Sequence, residues 1–107
     1  MRKVVAFKDY YIKFLELLSE EEKRKIRRSL LLFHSDDMMP WHYIKYIEDG
    51  IYEFRVTLPR REARIFFIYD GDILVVLFNA FFKKTQKTPR AEIEKAIRLK
   101  KEYYESK

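Results

Sequence analysis

The chain has 107 residues and no cysteine, which predicts one domain, residues 1–107, large enough to bury its own core, and excludes a disulfide framework, a thiolate metal site and a cysteine nucleophile. Lys and Arg number 23 against 17 Asp and Glu, and 17% aromatic residues with only two glycines exclude a disordered chain. The first residues hold no apolar run of signal-peptide length and no stretch approaches the roughly 18 apolar residues of a membrane span, so a cytoplasmic protein without membrane contact is expected.

The positive charge is uneven. Residues 1–50 carry 10 basic and 9 acidic side chains, residues 51–107 carry 13 and 8, and Phe81–Arg90 holds Lys83, Lys84, Lys87 and Arg90 with no carboxylate. Such a segment attracts phosphate, most often that of nucleic acid, although a charge run also serves simply as a solvated surface.

In chain order, Arg2–Phe7 reads as a first strand or extended lead-in. From Asp9, a residue suited to cap a helix, Tyr11, Phe14, Leu15 and Leu18 recur at the spacing of an amphipathic helix. Ser19-Glu20-Glu21-Glu22 has the form of a capping box, and Ile26, Leu30 and Phe33 continue a second helix until Ser35-Asp36-Asp37, giving two antiparallel helices joined by a tight turn. Met38–Gly50 has no clean period and reads as a loop with at most a turn or short strand. Tyr52, Phe54, Val56 and Leu58 then alternate with Glu53, Arg55 and Thr57, the pattern of a strand with one buried face. Pro59–Glu62 is the expected turn, Ala63–Tyr69 the next strand, Asp70-Gly71 a two-residue hairpin and Asp72–Ala80 the last strand. Thr88 caps, and Pro89 opens, a C-terminal helix with an apolar stripe of Ile93, Ala96, Ile97 and Tyr104.

These turns imply a register. Pairing Leu58 with Ala63 puts Phe54, Val56, Ile65 and Phe67 on one face, and pairing Tyr69 with Asp72 adds Leu74, Val76 and Phe78, a core against the two helices. The other face is apolar near Asp70-Gly71, with Phe66, Ile68, Ile73, Val75 and Leu77, so the C-terminal helix or another protein must cover it. Its far end is polar: Arg55 and Arg64 are diagonal neighbours beside Thr57 and Asn79, and continued parity brings Lys83 alongside. Clustered guanidinium groups suit bidentate phosphate capture, while pairing of Arg55 with Glu53 or Glu62 is the purely structural alternative. His34 and His42 are the only histidines and neither has the carboxylate spacing of a metal site; glycine-rich phosphate loops and a G-x-S-x-G nucleophile are also missing.

Lys45, the run Gly50-Ile51-Tyr52-Glu53-Phe54-Arg55, Arg64 within an apolar strand, and Phe81-Phe82-Lys83-Lys84-Thr85-Gln86-Lys87-Thr88-Pro89 followed by Glu92, Ile93 and Ala96 resemble the RelE/ParE superfamily, most closely its HigB-like, phage-derived branch, from about Phe7 to Arg98. The resemblance implies an α+β fold: two N-terminal helices packed on an antiparallel sheet of three or four strands, plus a C-terminal helix. It also implies the toxin of a type II toxin–antitoxin pair, inhibited by a cognate helix-turn-helix antitoxin. Such toxins cleave mRNA, usually on the ribosome and without metal or other cofactor, by attack of a 2′-hydroxyl on the adjacent phosphate. Carried over, Arg64 is the phosphate-binding strand arginine, Lys83 and Lys84 the basic pair after the last strand, and Arg55 the end of the Tyr-Glu-x-Arg match. With Lys45 these make Arg64, Lys83, Arg55 and Lys45 the expected catalytic set, and Lys84, Lys87, Arg90, Arg60, Arg61 and His42 the expected RNA contacts. Phe81-Phe82 stands where some relatives place a catalytic tyrosine or histidine, which leaves Lys45, His42, Glu53 or Tyr46 to carry the proton. The same resemblance admits a ParE-like toxin that inhibits DNA gyrase without cleaving RNA, or a nucleic-acid-binding domain without activity.

Overall fold

Two Asp-Gly dipeptides punctuate the strands, and only the first closes a two-residue hairpin. The computed structural model describes residues 2–34, 43–72, 74–84 and 86–107. Asp49 and Gly50 both have positive φ, 52° and 78°, the geometry of the tight turn whose twist matches paired strands, and Glu48 and Ile51 pair across it. The segment expected as a loop therefore contains a strand, β2 (Ile44–Glu48), paired antiparallel with β3 (Ile51–Thr57). At the second dipeptide, Asp70 is still inside β4 (Glu62–Asp70) and pairs with Leu74, so the turn is longer than the two residues expected.

The sheet has five strands in the order β1-β5-β4-β3-β2, more than the three or four expected. It is not wholly antiparallel, because β1 (Lys3–Ala6) runs parallel to β5 (Leu74–Phe82). The β3–β4 turn is tighter than Pro59–Glu62: the Leu58 amide donates to the Arg61 carbonyl at 2.8 Å, and Thr57 pairs with Glu62. Slipping that register by two preserves side-chain parity, so the face assignments of β3 and β4 hold, while Arg55 and Arg64 become direct cross-strand partners rather than diagonal ones.

The longer turn after β4 has the opposite consequence. Phe67 pairs with Leu77 and Tyr69 with Val75, so Val75 and Leu77 join the first core face and Leu74, Val76 and Phe78 the second, the reverse of the expected assignment. A register shift between Ile65 and Phe67 then adds a residue on β5 near Phe78 and Asn79, after which Arg64 pairs with Phe81. The bulge restores the expected parity at the polar end.

Helix α1 (Tyr10–Leu15) and helix α2 (Glu20–Leu30) cover the first face, burying Phe14, Leu18, Ile26 and Leu30 against Phe54, Val56, Ile65 and Phe67. Ser19 and Glu22 form the expected capping box, whereas Asp9 makes no side-chain cap. A single 3-10 turn, Leu31–His34, follows α2. Helix α3 (Arg90–Glu105) covers the second face through Ile93, Ala96 and Leu99, so the cover is the chain's own. Its buried stripe runs to Leu99 and half-buried Tyr103, not to Tyr104, which is exposed. Pro89 occupies the N-cap one residue later than expected, because the Thr88 hydroxyl is committed to Glu53 instead. No helix among the described residues is long and apolar enough to cross a membrane.

Candidate nucleic-acid interface

Alternation on β3 puts Glu53, Arg55 and Thr57 on the α3 side of the sheet, and pairing brings Lys45 beside Glu53 and Arg64 beside Arg55. Glu53 was expected on an open face and is instead wholly buried. A carboxylate without water must find donors, and this one finds three. Its Oε1 accepts from Arg64 Nη1 at 2.6 Å and from Arg55 Nε at 3.2 Å, and its Oε2 accepts from Thr88 Oγ1 at 3.3 Å. Arg64, only 6% exposed, also donates from Nε to Glu62 Oε1 at 2.6 Å. Two carboxylates thus fix one guanidinium in position and offset the repulsion between it and its neighbour.

The exposed side of this network is a cleft of about 380 Å³ whose walls include Lys45, Tyr46, Arg55, Arg64, Lys83, Gln86, Lys87 and Thr88. Lys83 is placed by its backbone amide, which donates to the Glu62 carbonyl at 2.9 Å and extends the β4–β5 ladder by one step. Five cations, Lys45, Arg55, Arg64, Lys83 and Lys87, line the cleft, and Glu53 and Glu62 beneath it pair with Arg55 and Arg64, so the cleft keeps an excess of positive charge. Glu48 also borders it, but Arg90 holds that carboxylate at 2.6 Å and keeps it below the usual carboxylate range.

All four residues expected to be catalytic, Arg64, Lys83, Arg55 and Lys45, therefore line one cleft, with Lys87. The other expected RNA contacts separate. Lys84 borders a narrow recess with Arg64 and Lys83, and an apolar groove beside Phe14 and Phe82. Arg90 is paired to Glu48 and lies near Glu94 at 3.6 Å. Arg60 and Arg61 sit at the β3–β4 turn beside α2, where Arg61 pairs with Glu22 at 2.9 Å and stacks 3.7 Å from the centre of the Phe82 ring. Arg61 thereby ties that turn to the start of α2. His42 and the side chain of His34 lie outside the described residues.

Glu62, Gln86 and Thr88 were not among the expected site residues. In sequence Glu62 reads as part of the turn and Thr88 as a helix cap; the short β3–β4 turn instead brings Glu62 into β4, and the Thr88 hydroxyl donates to Glu53. Asn79 lies on the expected face, but its Nδ2 donates to the carbonyl and side chain of Glu92, so it anchors α3 and does not face the cleft. Among the described residues no three His, Asp or Glu side chains come together in a way that could hold a metal ion.

A mixed five-stranded sheet between two helical layers, with a nearly buried arginine, paired to two carboxylates, at the foot of a basic cleft, defines a small α+β protein. Residues 13–101 match the family described as phage-derived protein Gp49-like (DUF891), and the chain belongs to that family. The family is associated with RelE and toxin-like proteins, which is consistent with a toxin-like protein. No curated protein sequence matches the chain.

Proposed function

We propose that this chain is the toxin of a type II toxin–antitoxin pair, HigB-like within the RelE/ParE superfamily, and that it cleaves mRNA at the ribosome without a metal ion. The observation that supports this most is the convergence of Lys45, Arg55, Arg64, Lys83 and Lys87 on one cleft whose central guanidinium is immobilised. Attack of a 2′-hydroxyl on its own phosphate builds negative charge on the phosphoryl oxygens, and donors already in place stabilise that charge without reorganising. Arg64 presents the part of its fork that Glu53 and Glu62 do not use, while Arg55 and Lys83 flank it.

Glu53 was a candidate base, but three donors occupy its oxygens, and it acts as the anchor of the arginines. Tyr46 accepts the Gly50 amide at 3.1 Å and lines the cleft, as does exposed Lys45. Of the residues the sequence offers to carry the proton, Lys45 and Tyr46 are the two described ones that border the cleft, and on this reading they take that role. A cognate helix-turn-helix antitoxin neutralises the protein by closing this cleft or by making the complex too bulky for the ribosome.

Induced expression in a bacterium tests the reading. Growth should stop, and primer extension should reveal new mRNA ends within coding regions. Intact mRNA together with altered DNA supercoiling would replace this reading with gyrase inhibition.

A further inference from the structure

Helix α2 carries Lys23, Arg24, Lys25, Arg27 and Arg28 within six residues. Lys23 pairs with Glu20 at 3.2 Å, whereas Arg24, Lys25, Arg27 and Arg28 are exposed and have no ion pair among the described residues. Like charges three and four residues apart repel, so Arg24, Lys25 and Arg28 on one flank of the helix weaken it. That flank is not isolated. Lys25 and Arg28 form one wall of a groove of about 290 Å³ whose opposite wall is Phe54, Arg55, Val56 and Thr57 of β3. Arg55 lines both this groove and the cleft of Arg64. The two recesses meet at the edge of β3, because β2 begins at Ile44 opposite Phe54 and, among the described residues, no strand pairs with Arg55–Thr57 on that side.

We infer that the Lys25–Arg28 flank of α2 is a second phosphate-binding surface, continuous with the cleft through Arg55, which holds the backbone of the same RNA strand beyond the phosphate bound at Arg64. This rests on the cleft being an RNA site. Phosphodiester is the ligand that fits: it is a chain of regularly spaced single negative charges, able to follow cations around a strand edge from one sheet face to the other. Leu32 and exposed Tyr43 add apolar surface to the groove, and an unstacked base can rest on the Tyr43 ring while its phosphates meet Lys25 and Arg28.

The test measures binding of fluorescent oligoribonucleotides, 2′-O-methylated so that they cannot be cleaved, of 4 and 12 nucleotides, over a salt series. Lys25→Ala/Arg28→Ala should weaken the 12-mer about tenfold and reduce the slope of log affinity against log salt by about 1.4, at about 0.7 per lost phosphate contact, while leaving the 4-mer unchanged. The charge-matched control Arg98→Ala/Lys101→Ala, on exposed positions of α3, should change neither. Circular dichroism of both double variants should match wild type, since only exposed side chains are removed. Equal losses in the two double variants would make the effect one of net charge and overturn the α2 surface. A 12-mer slope untouched by Lys25→Ala/Arg28→Ala would also overturn it while leaving the cleft in place. Failure of wild type to bind either oligonucleotide would overturn the cleft reading itself and the inference with it.

Discussion

Glu53→Gln removes one charge and keeps the size and an acceptor oxygen, so it isolates what the buried carboxylate does. In the wild type Glu53 is wholly buried and Arg64 nearly so, and the two meet at 2.6 Å. Removing one partner of a buried pair costs about 3–5 kcal/mol, mostly from the charge left behind. Arg64 keeps Glu62 at 2.6 Å, and Arg55, about one-third exposed, turns to water, so the lower end applies: about 3 kcal/mol. At roughly 4 °C per kcal/mol for a chain of this size, Tm should fall by about 12 °C. Urea unfolding followed by circular dichroism gives the free energy directly. The double replacement Glu53→Leu/Arg64→Met should cost less than the sum of its two single changes by about 2 kcal/mol, since it leaves neither of those two charges stranded. RNA binding by Glu53→Gln should not weaken, because the cleft becomes more positive, whereas cleavage should drop about 10²-fold as Arg64 loses its position. A Glu53→Gln variant within about 0.5 kcal/mol of wild type, with additive double-mutant energies, would refute the claim that this carboxylate organises the site.

Two further outcomes follow from the geometry. Gly50→Ala should lose about 1 kcal/mol by urea unfolding, because φ is +78° and the new Cβ would lie 3.0 Å from Lys100 Nζ, which donates to the Asp49 carbonyl; Gly71→Ala, at φ +73° with open space around it, should lose less, and the reverse order would contradict the placement of the first hairpin against α3. Arg61 and the Ser19 amide hold the Glu22 carboxyl at about 2, below its ordinary 4.5, so its contribution to stability is complete above about pH 4.5 and is lost as pH falls toward 2; unfolding measured over that window should flatten in Glu22→Gln, and an unchanged acid limb would contradict the ion pair.

The helices were legible because their signals are local. Ser19 and Glu22 lie three residues apart and need no knowledge of the rest of the chain to form a capping box. The sheet was legible in composition but not in detail, since an Asp-Gly dipeptide reads identically at Asp49 and Asp70, yet only the first sits between residues that pair directly. That one ambiguity hid β2 and exchanged the faces of Val75–Phe78. Arg55, Arg64 and Lys83 were still placed together correctly, because the bulge near Phe78 and Asn79 cancelled the error made at the turn. Glu53 shows the limit of alternation. A polar residue between apolar ones reads as solvent-facing, and its burial depends on Arg64 and Thr88, 11 and 35 residues away. Arg64 carries a related lesson: nearly buried and doubly paired, it holds the sheet end together, so Arg64→Ala removes stability as well as charge, and exposed Lys83 is the cleaner probe of the chemistry.

On the proposed reading, cations of this cleft promote attack of the RNA's own 2′-hydroxyl. The ends formed when purified protein cuts mRNA on intact ribosomes, in magnesium buffer, report on that chemistry. Wild type should leave 2′,3′-cyclic phosphate and 5′-hydroxyl ends, and Lys83→Ala should yield the same ends at a rate lower by about 10²-fold. Ends bearing 5′-phosphate and 3′-hydroxyl groups, or a Lys83→Ala rate equal to wild type, would rule that chemistry out.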